Sequence, residues 1–303
     1  NSFREGAEAL APAIAMMTEL QQLDLSDNWI QAKEMRILAP ALQEMVQLNV
    51  LNLSENLIRA AGAAALAPSL GAMIQLRKLH LEDNRIEKNG ATMAFVLENL
   101  TAFQALQRFR DAEGTELEAD DGFHKILDVV LTLVEENTLD LSDMGGDQEG
   151  MISLIAALPH LDKLRSLDLC GNTLSDACMR ELALSLKTMT ELRSLSLSKT
   201  GLGREGTHLL GKILSACPQL EQLDLSDNQL DEIRVATVFE CLTFMPHLRI
   251  LTLDDNSIGV GGIRSLAAVL PQCHGLEELN LSRCGFGEEG AEVLSECLSG
   301  MPH

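Results

Sequence analysis

Tyrosine is absent from this chain, tryptophan occurs once, and aromatic residues make up only 3 % of its 303 positions. A core organised around large rings is excluded; with 46 % hydrophobic residues, the core must be aliphatic. Basic residues are scarce too. Lys and Arg number 23 against 45 Asp and Glu, a formal net charge of −22. DNA, RNA and anionic membranes are held by clustered Lys and Arg, so none of them is expected as a direct partner. The acid suits a protein partner with a basic surface, or plain solubility. No C-x-x-C pair occurs among Cys170, Cys178, Cys217, Cys241, Cys273, Cys284 and Cys297. Neither a zinc site nor a disulfide framework is indicated, and the cytoplasm or nucleus is the expected compartment. No apolar run reaches the ~18 residues of a membrane span, and no secretory leader is recognised. Ser-His-Asp, Cys-His and phosphate-loop spacings are missing. Lys199-Thr200-Gly201 lacks a Ser-x-x-Lys partner in suitable context and reads as a turn. No enzymatic activity, cofactor or metal is expected.

What the sequence does have is leucine at fixed intervals. The pattern L-x-x-L-x-L-x-x-N, with Thr or Cys in the Asn place of the copies from Leu192 and Leu276, starts at Leu20, Leu48, Leu76, Leu164, Leu192, Leu220, Leu248 and Leu276, in steps of 28 except across one interval. Self-similarity at a period of roughly 20–50 residues means stacked supersecondary units, so the core grows coil by coil rather than as separate globules.

The copy from Leu220 shows one coil's anatomy. Leu223 and Leu225 alternate inward on a short strand. Asn228 follows at a turn, where its amide can bond backbone groups of neighbouring coils. Val238, Leu242 and Met245 then make a helical stripe. Other copies add Gly62, Gly90, Gly206, Gly262 or Gly290 ahead of that stripe. Strands that return through helices must be parallel. A helix is wider than the ~4.8 Å strand spacing, so about ten coils should curve with the strands on the concave face. Leu25, Leu53, Leu81, Leu169, Leu197, Leu225, Leu253 and Leu281 should form one buried column.

Leu-Asp-Leu-Ser-Asp-Asn at 23–28 and 223–228, on a helix-bearing period of 28, resembles the ribonuclease-inhibitor-type leucine-rich repeat. The resemblance covers essentially the whole sequence and implies an α/β leucine-rich repeat solenoid. The type occurs in ribonuclease inhibitor, in the GTPase activator of Ran and in NOD-like receptors. Here the regular copies share one length, the cysteines do not alternate, and no strongly acidic tail is present. The links at 158–164 and 214–220 look most like the NOD-like receptors of the CARD-containing and class II transactivator branch. What this resemblance implies is a non-catalytic, protein-binding domain of an intracellular innate-immune receptor or regulator. Its alternatives are a ribonuclease-inhibitor-like inhibitor of a basic enzyme and a GTPase-activator-like regulator.

The pattern wears between Leu76 and Leu164. Copies placed at Leu106 and Val134 are poor, with Asp111 at an inward position and Gly114 in place of Asn. The acidic stretch 113–122 reads as a loop interrupting the ladder, either a decayed repeat or a contact for a partner. The organisation expected is a first regular block at 1–105, two irregular repeats at 106–163 and a second regular block at 164–303. Pro12, Pro40 and Pro68 fall inside helical segments, whereas Pro159, Pro218, Pro246, Pro271 and Pro302 fall nearer helix ends. Gly6 and Met301-Pro302-His303 match mid-repeat positions, so the sequence is expected to be a segment of a larger protein.

Side chains between the inward leucines should leave the concave face. They are Asp24, Asp27, Glu55, Glu82, Asp83, Asp140, Asp143, Asp168, Asp224, Asp227, Asp254 and Asp255, a candidate surface for a basic partner. Lys78, Arg85, Arg108, Arg110, Lys199 and Arg283 interrupt it. Trp29, at the turn leaving its strand, is a candidate anchor. His80 stands beside Glu82 and Asp83, a set able to hold a cation, but no second His shares the register. A solvated imidazole is the expectation.

Overall fold

A computed structural model describes residues 3–70, 72–111, 116–145, 148–214 and 217–299. The chain forms two compact units, Asn1–Thr132 and Leu133–His303.

In the first unit, β1 (Gln22–Asp24), β2 (Val50–Asn52), β3 (Lys78–His80) and β4 (Glu116–Glu118) pair in parallel and in chain order. Its helices are α1 (Phe3–Met16), α2 (Ala32–Leu42), α3 (Arg59–Leu70), α4 (Gly90–Glu98), α5 (Leu100–Asp111) and the start of α6 (Asp121–Glu136). In the second unit, β5 (Thr138–Asp140), β6 (Ser166–Asp168), β7 (Ser194–Ser196), β8 (Gln222–Asp224), β9 (Ile250–Thr252) and β10 (Glu278–Asn280) form a second parallel sheet. Its further helices are α7 (Gln148–Ala157), α8 (Asp176–Leu186), α9 (Arg204–Leu214), α10 (Glu232–Leu242), α11 (Gly259–Val269) and α12 (Gly287–Ser299). The described residues thus hold ten strands.

The strands are short because each contributes one inward leucine to its sheet before the chain turns. Leu51 pairs in register with Leu79, and Leu167, Leu195, Leu223 and Leu251 align in the second sheet. Leu53, Leu81, Leu169, Leu197, Leu225 and Leu253 are fully buried behind them. Leu281, expected in that column, is only half-buried, since β10 has a sheet neighbour on one side alone.

Helix starts follow local capping chemistry. Asn89, Ser175 and Asp231 accept the amides of Thr92, Cys178 and Arg234 at 2.9, 3.3 and 2.9 Å. Pro12, Pro40 and Pro68 lie inside α1, α2 and α3, and Pro159 and Pro271 lie in 3-10 turns that follow α7 and α11. Gly262 is small for a packing reason. A Cβ there would collide with Ile258 and approach Val235 Cγ1 to 3.0 Å. Gly262→Ala should therefore cost about 1–3 kcal/mol in denaturant unfolding. Gly203→Ala, whose Cβ would meet nothing closer than 3.6 Å, should stay within ~0.5 kcal/mol; equal effects would count against this packing account.

The worn region is not the loop the sequence suggested. Glu116–Glu118 is a strand, registered Lys78↔Glu116 and His80↔Glu118. Leu106, expected to open a coil, is buried in α5, and Arg108 and Arg110 belong to that helix rather than to the strand face. The coil is lengthened because two helices, α4 and α5, connect β3 to β4. Helix α5 packs beside α3, and Phe103 meets Phe123 edge-on, ring centroids 6.4 Å apart. Glu113, Gly114, Pro302 and His303 lie outside the described residues.

Candidate functional site

The turn that leaves each strand is built by a buried side chain. Asn56 donates from Nδ2 to the carbonyls of Leu25, Leu53 and Ser54 at 3.0, 2.9 and 3.0 Å. Its Oδ1 accepts the amides of Asn28 and Ile30 at 3.1 and 2.9 Å. Asn84, Asn172, Asn228 and Asn256 bond in the same manner. Each thus ties two adjacent coils, as the sequence predicted. Thr200 and Cys284 take the place of Asn in two coils, and each still donates to a carbonyl, Leu197 at 2.8 Å and Leu253 at 3.2 Å.

A second device operates at the strand ends. Asp24 Oδ1 accepts the amide and hydroxyl of Ser26 at 2.9 and 2.7 Å. Asp140 and Asp224 accept from Ser142 and Ser226 in the same way, and Asp168 accepts the Cys170 amide at 2.8 Å. Asn52 and Asn280 accept the amides of Ser54 and Ser282 in other coils. These four aspartates, read from the sequence as candidates for a binding surface, also close their own turns. The Ser26 hydroxyl and then its amide hold the Asp24 carboxyl below its ordinary value. That contribution is present above about pH 4 and is lost as pH falls through the lowered value.

The residue before each ladder position, whether that position holds Asn, Thr200, Cys284 or Met144, is left-handed. Asp27, Glu55, Asp83, Asp143, Lys199, Asp227, Asp255 and Arg283 have φ of 50–56°, and Gly171 serves the same position at φ 71°. Where a following coil lies beside them, their backbone amides are pinned to it, for example Glu55 to the Glu82 carbonyl at 2.8 Å and Asp227 to the Asp254 carbonyl at 2.9 Å. Their side chains are exposed. In the first unit Asp27, Glu55 and Asp83 form an acidic row. Together with Trp29, Leu57 and Arg85 they line an open cleft of about 370 Å³. Trp29 is itself left-handed at φ 59° and 71 % exposed, so its ring stands out rather than packing into a coil.

In the second unit Asp140, Asp143, Asp168, Asp224, Asp227, Asp254 and Asp255 lie on or beside the strand face. Asp255 is partly neutralised, because Arg283 Nη2 lies 2.5 Å from its Oδ2. Asp254 accepts from Asn280 at 3.2 Å. A depression of about 460 Å³ on β9 and β10 is lined by Ile250, Thr252, Glu278 and Asn280 among others.

His80 meets a carboxylate that sequence reasoning had assigned to a loop. Its Nδ1 lies 2.5 Å from Glu118 Oε2, and ligand atoms of His80, Glu82 and Glu118 all lie within 4.8 Å of one another. Asp83 is not part of this group. Its amide is instead bonded at 2.8 Å to Asp120, which also accepts the Asn84 amide.

The family model described as "Leucine Rich repeat" matches residues 244–267 and 272–295, the coils of β9 and β10. These two coils are leucine-rich repeats. Comparison with curated proteins finds no match. Among solved structures the chain is similar to the tropomodulin C-terminal domain of Caenorhabditis elegans (17 % identity, TM-score 0.42, covering 50 % of this chain and 92 % of that one). It is similar also to an internalin of Listeria monocytogenes (16 %, 0.41, 97 % and 92 %). A third is the complex of Rad7 and Elc1 from yeast (16 %, 0.41, 96 % and 73 %). In these leucine-rich repeats, strands, left-handed turns and helices recur in fixed order, and no helix of the described residues is long and apolar enough to cross a membrane.

Proposed function

We propose that this leucine-rich repeat chain is a protein-recognition domain that binds a partner with a basic surface through its strand faces. The exposed Trp29 beside the acidic row Asp27, Glu55 and Asp83 carries this reading. An indole offers a large, rigid contact and attracts cations over its ring. Carboxylates on neighbouring coils supply the matching field. The single 28-residue length shared by the regular coils further favours a place within an intracellular receptor or regulator of the NOD-like kind.

The test offers the whole chain labelled peptides of equal length, one rich in Lys and Arg and one neutral. The cationic peptide should bind, and raising salt from 50 to 200 mM should weaken it about tenfold, because exposed charges are screened beyond ~8 Å at physiological ionic strength. Equal binding of both peptides, or binding indifferent to salt, would remove the electrostatic basis of this function.

A further inference from the structure

We propose that His80, Glu82 and Glu118 form a binding site for a divalent first-row transition-metal ion on the strand face of the first unit. Three departures from the repeat converge there. In the coils of β1 and β2, the strand-end residue and the residue two positions on are Asp24 with Ser26 and Asn52 with Ser54, and each pair closes its own turn. In the coil of β3 those places hold His80 and Glu82. An imidazole ring cannot repeat the carboxylate's short turn bond, and a glutamate in place of serine carries a charge outward. In the coil of β4 the strand-end place holds Glu118, one methylene longer than aspartate and long enough to reach its neighbour's ring.

The result is one nitrogen and two carboxylate groups whose ligand atoms lie within 4.8 Å of one another. An ion with bonds of about 2.0–2.2 Å places tetrahedral donors roughly 3.3 Å apart. The group can close to that spacing by small side-chain rotations, with His80 and Glu118 opening from 2.5 Å. Both side chains retain solvent access, 20 % and 40 %, so an ion can enter and water can complete its shell. Imidazole with carboxylates suits zinc, cobalt and their neighbours in the row better than a site of oxygens alone.

Electrostatics point the same way. Glu82 and Glu118 repel at this range, and one imidazolium balances only one of them. Lys78, on the same strand as His80, is held by Glu116 at 2.5 Å, so its charge is already committed. A divalent ion neutralises both carboxylates at once. The Ser54 hydroxyl, 3.4 Å from Glu82 Oε2, is placed to orient that carboxylate from outside the ligand set.

The experiment is titration of the full chain with cobalt(II), followed by absorption spectroscopy and by histidine imidazole NMR. One equivalent should bind with visible d–d bands and without a thiolate charge-transfer band, and the His80 ring should respond before the other six of the seven histidines. Zinc should displace the cobalt, and equimolar magnesium should not. His80→Asn should weaken binding by more than about tenfold, and so should Glu82→Gln combined with Glu118→Gln; His274→Asn should leave it unchanged. Circular dichroism melting reports whether each variant folds, and either folded variant suffices for the decision. Failure to bind cobalt, a thiolate band, or affinity unchanged in a folded variant would overturn the site.

Discussion

Asn228→Ala should destabilise the second unit by about 4 kcal/mol, among the largest effects of any single substitution in the chain. Asn228 is 2 % exposed. Its Nδ2 donates to Leu197, Leu225 and Ser226 carbonyls at 2.7, 3.1 and 3.0 Å. Its Oδ1 accepts the Thr200 and Leu202 amides at 3.0 and 3.3 Å. Alanine leaves the two amides without an acceptor where water cannot follow, at about 1–3 kcal/mol each. The carbonyls suffer less. Leu197 still accepts from the Thr200 hydroxyl at 2.8 Å, and Leu225 from Asn256 at 2.9 Å. Asn28→Ala is the internal comparison. That side chain is half-buried and donates to the Ser26 carbonyl at 2.7 Å, so about 1 kcal/mol is expected. Urea unfolding with hydrogen exchange as a local readout distinguishes the two; equal losses would mean that the buried ladder is not what ties the coils.

The second large effect concerns association. Asp27→Asn, Glu55→Gln and Asp83→Asn together should slow binding of a basic partner on the order of tenfold or more, with a smaller change in dissociation, because steering acts on encounter. Folding should hold within ~0.5 kcal/mol, since these side chains are exposed and their backbone bonds survive. The strand-end aspartates would be poorer choices, because alanine at Asp24 or Asp224 also opens a turn. Asparagine there would preserve it, as Asn52 and Asn280 do naturally. Neutralising Glu98, Glu149 and Glu240 on α4, α7 and α10 changes net charge equally and should matter far less. Stopped-flow association at low and physiological salt reads the difference; equal slowing by both triple variants would reduce the acid to a general field.

Eight coils were legible because leucine at two inward places and a polar ladder residue leave few alternatives at one period. The coil of β4 was hidden by its chemistry. Ala119 stands where the second leucine would be, Gly122 where asparagine would be, and Asp120 does the ladder's work from two positions earlier. Meanwhile Leu106 and Phe109, three apart, imitate the repeat's opening while belonging to α5. Spacing of three fits a helix face as well as a repeat, and only the pairing of β3 with β4 separates them. The cost fell on the candidate site. With Glu118 assigned to a loop, His80 was grouped with Glu82 and Asp83 and set aside for want of a second His, although the carboxylate that meets its ring comes from the neighbouring coil. The acidic positions themselves were readable from alternation, but their division into turn-closing and exposed groups was not. That division depends on hydrogen bonds across two residues, which Asp-x-Ser hints at and the left-handed row does not.

Recognition through the strand face is tested most directly by photo-cross-linking. A photoreactive amino acid would be placed singly at Gln22 and Gln222 on the strand face and at Arg36 and Leu184 on α2 and α8, all exposed. The whole chain would be irradiated in cells and its adducts compared by mass. Discrete protein adducts from the strand-face positions, weakened by the Asp27, Glu55 and Asp83 substitutions, are the predicted result. Adducts arising only from the helix positions would contradict it.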